Sequence, residues 1–236
     1  DPLPFTYTTE TASGDRGLIS GDAFTGTLSR TAGETVGTYS ITIGTLTNTN
    51  YSIDYSAKDF SITSKTITIT GITAADKVYD GDTTATISTS SIDYDGLETG
   101  DNVSIASSTG VFDTKNVGTE KTVTLTNTYG GSDLGNYTIV DQITTTASIT
   151  ARTMTVTGFV AADKAYDASR TATVTFSSLT YTGRVSGDVV SVASAGGLFD
   201  TKAVGINKSV AITATYTGSD RTNYSIQTQP STTASI

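Results

Sequence analysis

The side chains able to do chemistry are few, and they recur. Asp76, Lys77, Tyr79 and Asp80 sit together in DKVYDGDTTATI, and Asp163, Lys164, Tyr166 and Asp167 sit together in DKAYDASRTATV. One reading makes each group a ligand-facing patch. The other makes it a structural corner, in which Tyr packs its ring on the core and hydrogen-bonds backbone while Asp closes a turn. We favour the corner, because Asp and Gly beside a strand start are what turns require. The spacings Asp80-x-Asp82 and Asp93-x-Asp95 could offer oxygen ligands to calcium. Their counterparts are Asp167-x-Ser169 and Thr180-x-Thr182, so half the ligands vanish and no acidic loop of the EF-hand kind is complete. No metal and no cofactor are therefore expected. Lys115, Lys121 and Asn136 recur as Lys202, Lys208 and Asn223, the ingredients of a Lys–Asn isopeptide crosslink. The plainer reading gives Lys121 and Lys208 to strand edges and has each Asn start a strand through its own turn bond. Paired acids could be drawn for glycoside hydrolysis, but Asp101, Asp133, Asp188 and Asp220 read as turn formers and solubility charges. Exposed Tyr94 and Tyr181 could stack on sugars, although scattered surface tyrosines are ordinary.

Composition removes whole classes of function. The chain has no Cys and no His. Disulfides, zinc sites of the Cys/His type, Ser-His-Asp triads and Cys–His dyads are excluded with them. The net charge of −9 disfavours nucleic acid and anionic membrane as partners. No run of apolar residues is long enough for a spanning helix, so no membrane insertion is expected.

A shift of 87 positions carries Asp76 to Asp163, Asp101 to Asp188, Phe112 to Phe199, Tyr137 to Tyr224 and Ile149 to Ile236 with no gap. Such a period marks a tandem array. The repeat gives three modules, at 1–63, 64–150 and 151–236. The first shares only a skeleton with the others: Gly21-Asp22, Val36-Gly37 and Asn50-Tyr51. Strict alternation, as in KTITIT and KTVTLT, predicts short strands, with turn signals of Gly, Asn and Asp between them. In the first module Phe5–Thr9, Tyr39–Ile43 and Tyr51–Tyr55 alternate in the same way. The expected fold is all-β, with tandem small antiparallel Ig-like β-sandwich modules in an elongated rod. A β-grasp-like module with one short helix is the alternative. The expected core is Ile67, Ile69, Tyr79, Ile87, Val103, Ile105, Phe112, Val117, Val123, Leu125, Tyr137 and Ile139, with the residues 87 positions on. One residue separates the closing strand of each module from the next opening strand, too little chain for a free hinge.

The two long repeats, with DKxYDG, TAT, GD, FDTK.VG, GSD..NY and TASIT in order, resemble the YDG domain. The first module, with DP.L.YT, GD..TG.L.R, GE.VGTY, GTL and NY, resembles the MBG (mostly bacterial Ig-like) module. It lacks an equivalent of the opening strand KTITITGI, and the chain reads as a fragment of a longer protein. The resemblance implies stalk modules of large bacterial surface adhesins of the filamentous-haemagglutinin kind. It implies an extracellular, cell-surface location and no enzyme activity. The expected partners are neighbouring modules of the same chain, which is otherwise a monomer. Two other functions stay open: modules that themselves bind glycan or a host or matrix protein, and an accessory domain of a secreted enzyme. The third module departs from the pattern with YDAS where the second has YDGD, so any role needing Gly81 or Asp82 does not carry over.

Overall fold

The computed structural model describes residues 4–14 and 16–236. Its regular structure is almost all strand; the two helical pieces are single 3-10 turns at Leu134–Asn136 and Arg221–Asn223. The chain divides into two compact units that cut across the sequence repeat. One holds residues 1–69, 93–104 and 129–141, the other 70–92, 105–128 and 142–236.

In the first unit, strands Ser29–Arg30, Gly37–Thr42 and Asp59–Ile62 form a three-stranded antiparallel sheet. Only Leu28 and Leu46 are buried among the described large apolar residues of the first module. The Arg30 side chain takes over part of the packing: its guanidinium lies 5.1 Å from the Tyr39 ring centroid and 5.3 Å from that of Phe60. Phe5–Thr9 and Tyr51–Tyr55, expected as strands, have no ladder partner among the described residues. Tyr51, Ile53 and Tyr55 still alternate inward. Period two sets which side chains face in, but a strand also needs a neighbour for its backbone. A second sheet in this unit orders Tyr137–Val140, Lys65–Thr70 and Asp93–Asp95.

The second unit contains a five-stranded sheet in the order Lys77–Val78, Thr144–Thr150, Gly118–Gly130, Ser104–Phe112, Thr84–Ala85. The whole third repeat lies in this unit and holds three sheets. One orders Thr180–Thr182, Arg152–Thr157 and Tyr224–Thr228; a second orders Thr171–Ala172, Ser191–Phe199, Lys208–Thr217 and Ser231–Ala234; the third pairs Val160–Ala161 with Val174–Thr175. Most pairs are antiparallel, but Arg152–Thr157 runs parallel to Tyr224–Thr228, and Thr144–Thr150 parallel to Lys77–Val78. Inward Met154, Val156, Phe159, Val190, Phe199 and Val210 make the core. Gly110 leaves room for the Ile87 side chain, whose Cδ1 atom a Cβ there would meet at 2.4 Å. Gln142, a residue that alternation does not reveal, pins the first turn of the second repeat. It accepts from the Ile72 N–H at 2.9 Å and donates to the Ile72 carbonyl at 2.7 Å. Gln229 does the same for Gly158 and Phe159.

Of the expected core, Ile67, Ile69, Tyr79, Val103, Phe112, Val123 and Leu125 are buried, while Ile87, Ile105, Val117, Tyr137 and Ile139 are half-buried. The partners 87 positions on follow suit with three exceptions: Tyr224 is buried where Tyr137 is half-buried, and two others are more open. Tyr166 and Val204 are exposed, at 56% and 73%. Their counterparts are covered by the third repeat, as shown below. Phe199→Ala is expected to cost about 3–5 kcal/mol, as for other buried Phe truncations. Urea denaturation of the two chains followed by tyrosine fluorescence measures it; an unchanged midpoint would remove Phe199 from the core.

Candidate functional site: a side-chain lock between repeats

The DKxYD motif splits into two jobs. Its Asp and Lys act locally. The Asp76 carboxylate accepts from the Ser148 N–H at 2.6 Å, and Asp163 from Ser235 at the same distance. This ties the loop to the closing strand. Lys77 folds back on its own turn, 2.8 Å from Asp80, donating also to the carbonyls of Asp82 and Thr84 and lying over the Phe112 ring. Lys164 repeats this with Asp167, Ser169 and Phe199. Neither lysine is left to hold a ligand. Asp80 accepts from the Asp82 N–H and Asp82 from the Thr84 N–H, the bonds of Asx turns. Among the described residues no three acidic side chains gather as metal ligands.

Tyr79 does something the sequence does not announce. Its ring is fully buried and its hydroxyl donates to the Asp188 carboxylate at 2.8 Å, across 109 positions of chain. Expected instead was a bond to backbone. Asp188, expected as a surface turn charge, has a side chain only 3% exposed. It also accepts from the Tyr224 hydroxyl at 2.6 Å and pairs with Lys115 at 3.2 Å. Tyr79 and Tyr224 meet edge to face, their centroids 5.5 Å apart. Lys115 bridges on to Asp220 at 3.3 Å. The Val117 N–H donates to buried Asn223 at 3.0 Å, and Asn223 donates to Asn116. Thus Tyr79, Lys115, Asn116 and Val117 of the second repeat plug into Asp188, Asp220, Asn223 and Tyr224 of the third.

Local structure makes the socket. Gly187 takes φ 87° with open space around it, so the residue is needed for its backbone angle and not for room. The turn then closes from the Asp188 N–H to the Val185 carbonyl. Asp220 clamps the next residue by accepting from the Val189 N–H, which holds its carboxyl below the usual range. Gly81 combines both needs: its φ is 84°, and a Cβ there would stand 2.8 Å from Val185 Cγ1.

The same Asp–Tyr pair occurs three times, as Asp22–Tyr51, Asp101–Tyr137 and Asp188–Tyr224, with the tyrosine oxygen accepting from the N–H of Ile19, Glu98 and Val185 respectively. Asp22 is exposed, Asp101 half-buried, Asp188 buried. On the second repeat the Val36 N–H of the first module reaches Asn136 at 2.9 Å, the equivalent of Val117 reaching Asn223.

Other candidates find internal roles. Lys121 and Lys208, expected as solvated strand-edge charges, lie instead on inner strands with side chains 10% and 11% exposed, because Lys121 pairs with Asp113 at 2.6 Å and Lys208 with Asp200 at 3.0 Å, each beside a Thr hydroxyl. Tyr94 and Tyr181 are half-buried and not exposed, and Arg184 covers the Tyr181 ring at 4.9 Å. They sit in short strands, Asp93–Asp95 and Thr180–Thr182, that alternation did not mark. A three-residue strand is too short for its period to show.

The chain is thus a tandem array of all-β modules whose neighbouring repeats interlock through side chains. The YDG domain profile matches residues 63–147 and 150–234, and the chain belongs to that family. The MBG domain (YGX type) matches residues 1–61. Comparison with curated proteins and with solved structures gave no match. The pairing of these modules is consistent with a repeat region of a surface protein, and among the described residues no helix is long and apolar enough to cross a membrane.

Two outcomes are expected. Tyr79→Phe removes one hydrogen bond to a charged group and should cost ~1.5–3 kcal/mol; Asp188→Ala strands two buried hydroxyls and should cost more. Asp188→Asn, which keeps an acceptor, should fall between wild type and Asp188→Ala; equal melting of all four chains would refute the lock. Second, burial and the Asp188 bond push the Tyr224 phenol up to about 12, and burial pushes Tyr79 up. The folded chain therefore holds protons that the unfolded chain, with ordinary phenols near 10, gives up. The stability contributed by Tyr224 is fully present below pH 10 and is lost between about 10 and 12. Melting temperature against pH measures this, and Tyr224→Phe should flatten the fall.

Proposed function

We propose that this chain is a structural, non-enzymatic repeat segment of a secreted or surface-anchored bacterial adhesin, a spacer that projects a binding region lying outside this sequence. One observation carries it: the socket around Asp188. A buried carboxylate with three donors from two repeats is costly to take apart, because each freed group would need new partners. Two further features support the reading. Only Ala151 separates the strands Thr144–Thr150 and Arg152–Thr157. The motif side chains with the most chemistry to offer, Lys77, Tyr79, Asp80 and Lys164, are engaged internally.

Spin labels placed on Ser107 of the second repeat and Ser194 of the third, both exposed, test the spacer by their distance distribution. A single narrow distance is expected, broadening in Asp188→Ala. A broad distribution in wild type would refute it. The alternative is that the modules themselves bind glycan or a host or matrix protein. Arrays of both ligand kinds probed with the whole chain decide: binding that point changes on one module abolish would replace the spacer reading.

A further inference from the structure

The third repeat carries the plug as well as the socket. Tyr166, Lys202 and Val204 stand where Tyr79, Lys115 and Val117 stand in the second repeat. Among the described residues Tyr166 and Lys202 have no hydrogen-bond or ion-pair partner, and Val204 and its neighbour Ile206 are 73% and 83% exposed. The loops that present them are nevertheless built. Lys164 clasps Asp167 and Ser169, Lys208 clasps Asp200 and Thr201, and Asp163 ties to Ser235, repeating the second repeat's bonds except that Lys164 bonds the Ser169 hydroxyl where Lys77 bonds the Thr84 carbonyl. Ile206 also replaces Thr119, making this face more apolar than its counterpart.

We propose that the face formed by Tyr166, Lys202, Val204 and Ile206 docks on a further module of the YDG type, its phenol and ammonium converging on that module's buried Asp–Tyr pair. This extends the lock described above and rests on it. The occupant is set by complementarity. A phenol donor, an ammonium and a free backbone N–H at Val204 need a carboxylate, a second carboxylate and a side-chain carbonyl in the arrangement of Asp188, Asp220 and Asn223. Two departures narrow the partner. Ala203 replaces Asn116, so the partner asparagine loses one contact. Ala168, at φ 63°, replaces Gly81, whose Cβ position is 2.8 Å from Val185 Cγ1. The partner should therefore carry at the Val185 position a side chain that can move aside. The second repeat has Glu98 there, together with Asp101, Asp133, Asn136 and Tyr137.

The test extends the whole chain at its C-terminus, without a linker, by a copy of residues 63–149 or of residues 150–236. Nitration of each tyrosine by tetranitromethane, mapped by mass spectrometry, is the readout, with Tyr79 as the internal reference. In the 236-residue chain Tyr166 should react and Tyr79 should not. In an extended chain Tyr166 should lose its reactivity to the level of Tyr79, most completely with the 63–149 copy. Alanine at the added copy's counterpart of Asp101 or Asp188 should restore the reactivity. Tyr166 reactive in both extended chains, with Tyr79 still protected, overturns the inference and leaves the internal lock standing. Protection that survives removal of the added carboxylate also overturns it. Reactive Tyr79 in the 236-residue chain would bring down the lock itself, and the inference with it.

Discussion

A carboxylate almost closed to water must find its solvation in the protein, and Asp188 is where that demand falls. Removing such a group from water costs several kcal/mol, offset only by well-placed donors. Two phenols and an ammonium supply them. Only one of the three, Tyr224, comes from the same repeat. The folded arrangement of the second repeat against the third is thus written into the solvation of one side chain. Gly187 sets the backbone angle that aims it, Asp220 fixes the residue after it, and the strand Tyr224–Thr228 delivers the second phenol.

The three Asp–Tyr pairs form a graded series. Each has the same local bonds, a tyrosine hydroxyl donating to Asp and accepting from a backbone N–H. What differs is what lies on top. The pair is exposed in the first module, half-buried in the second, where Val36 reaches Asn136, and buried in the third, where Tyr79 and Lys115 arrive. Solvation of a repeated motif therefore tracks its neighbour and not its own sequence. The MBG module has no DKxYD tyrosine to offer, so the socket on the second repeat receives a backbone donor without the phenol.

The unpaired acids, lysines and tyrosines that look like a ligand site in the sequence are largely used up by the fold. Several are consumed over short range, Lys77 with Asp80 and Lys121 with Asp113 and Thr114, while Asp76 ties to the closing strand 72 positions on. A protein with few apolar residues and no disulfides has to spend polar side chains on closing its loops. That use competes with ligand binding, because a lysine already surrounded by a carboxylate and two carbonyls has little left to donate.

The sequence by itself determined the period, the all-β class, the alternation of most strands and the turn-closing role of the acids in the DKxYD loop. These depend on local spacing: period two chooses a face, and an Asp can bond the N–H two residues on within one turn. It gave no sign that Asp93–Asp95 forms a strand, that Gln142 pins a turn, or that Asp188 is buried. Only the tertiary structure separated Tyr79 from Tyr166, two residues in nearly identical motifs, one sealed and one open to solvent. The physical reason is that backbone conformation follows from near neighbours, whereas burial and the solvation of charge are properties of whatever surface is brought against a residue. Tyr79 meets Asp188 across 109 positions, and no pattern within one repeat encodes that meeting.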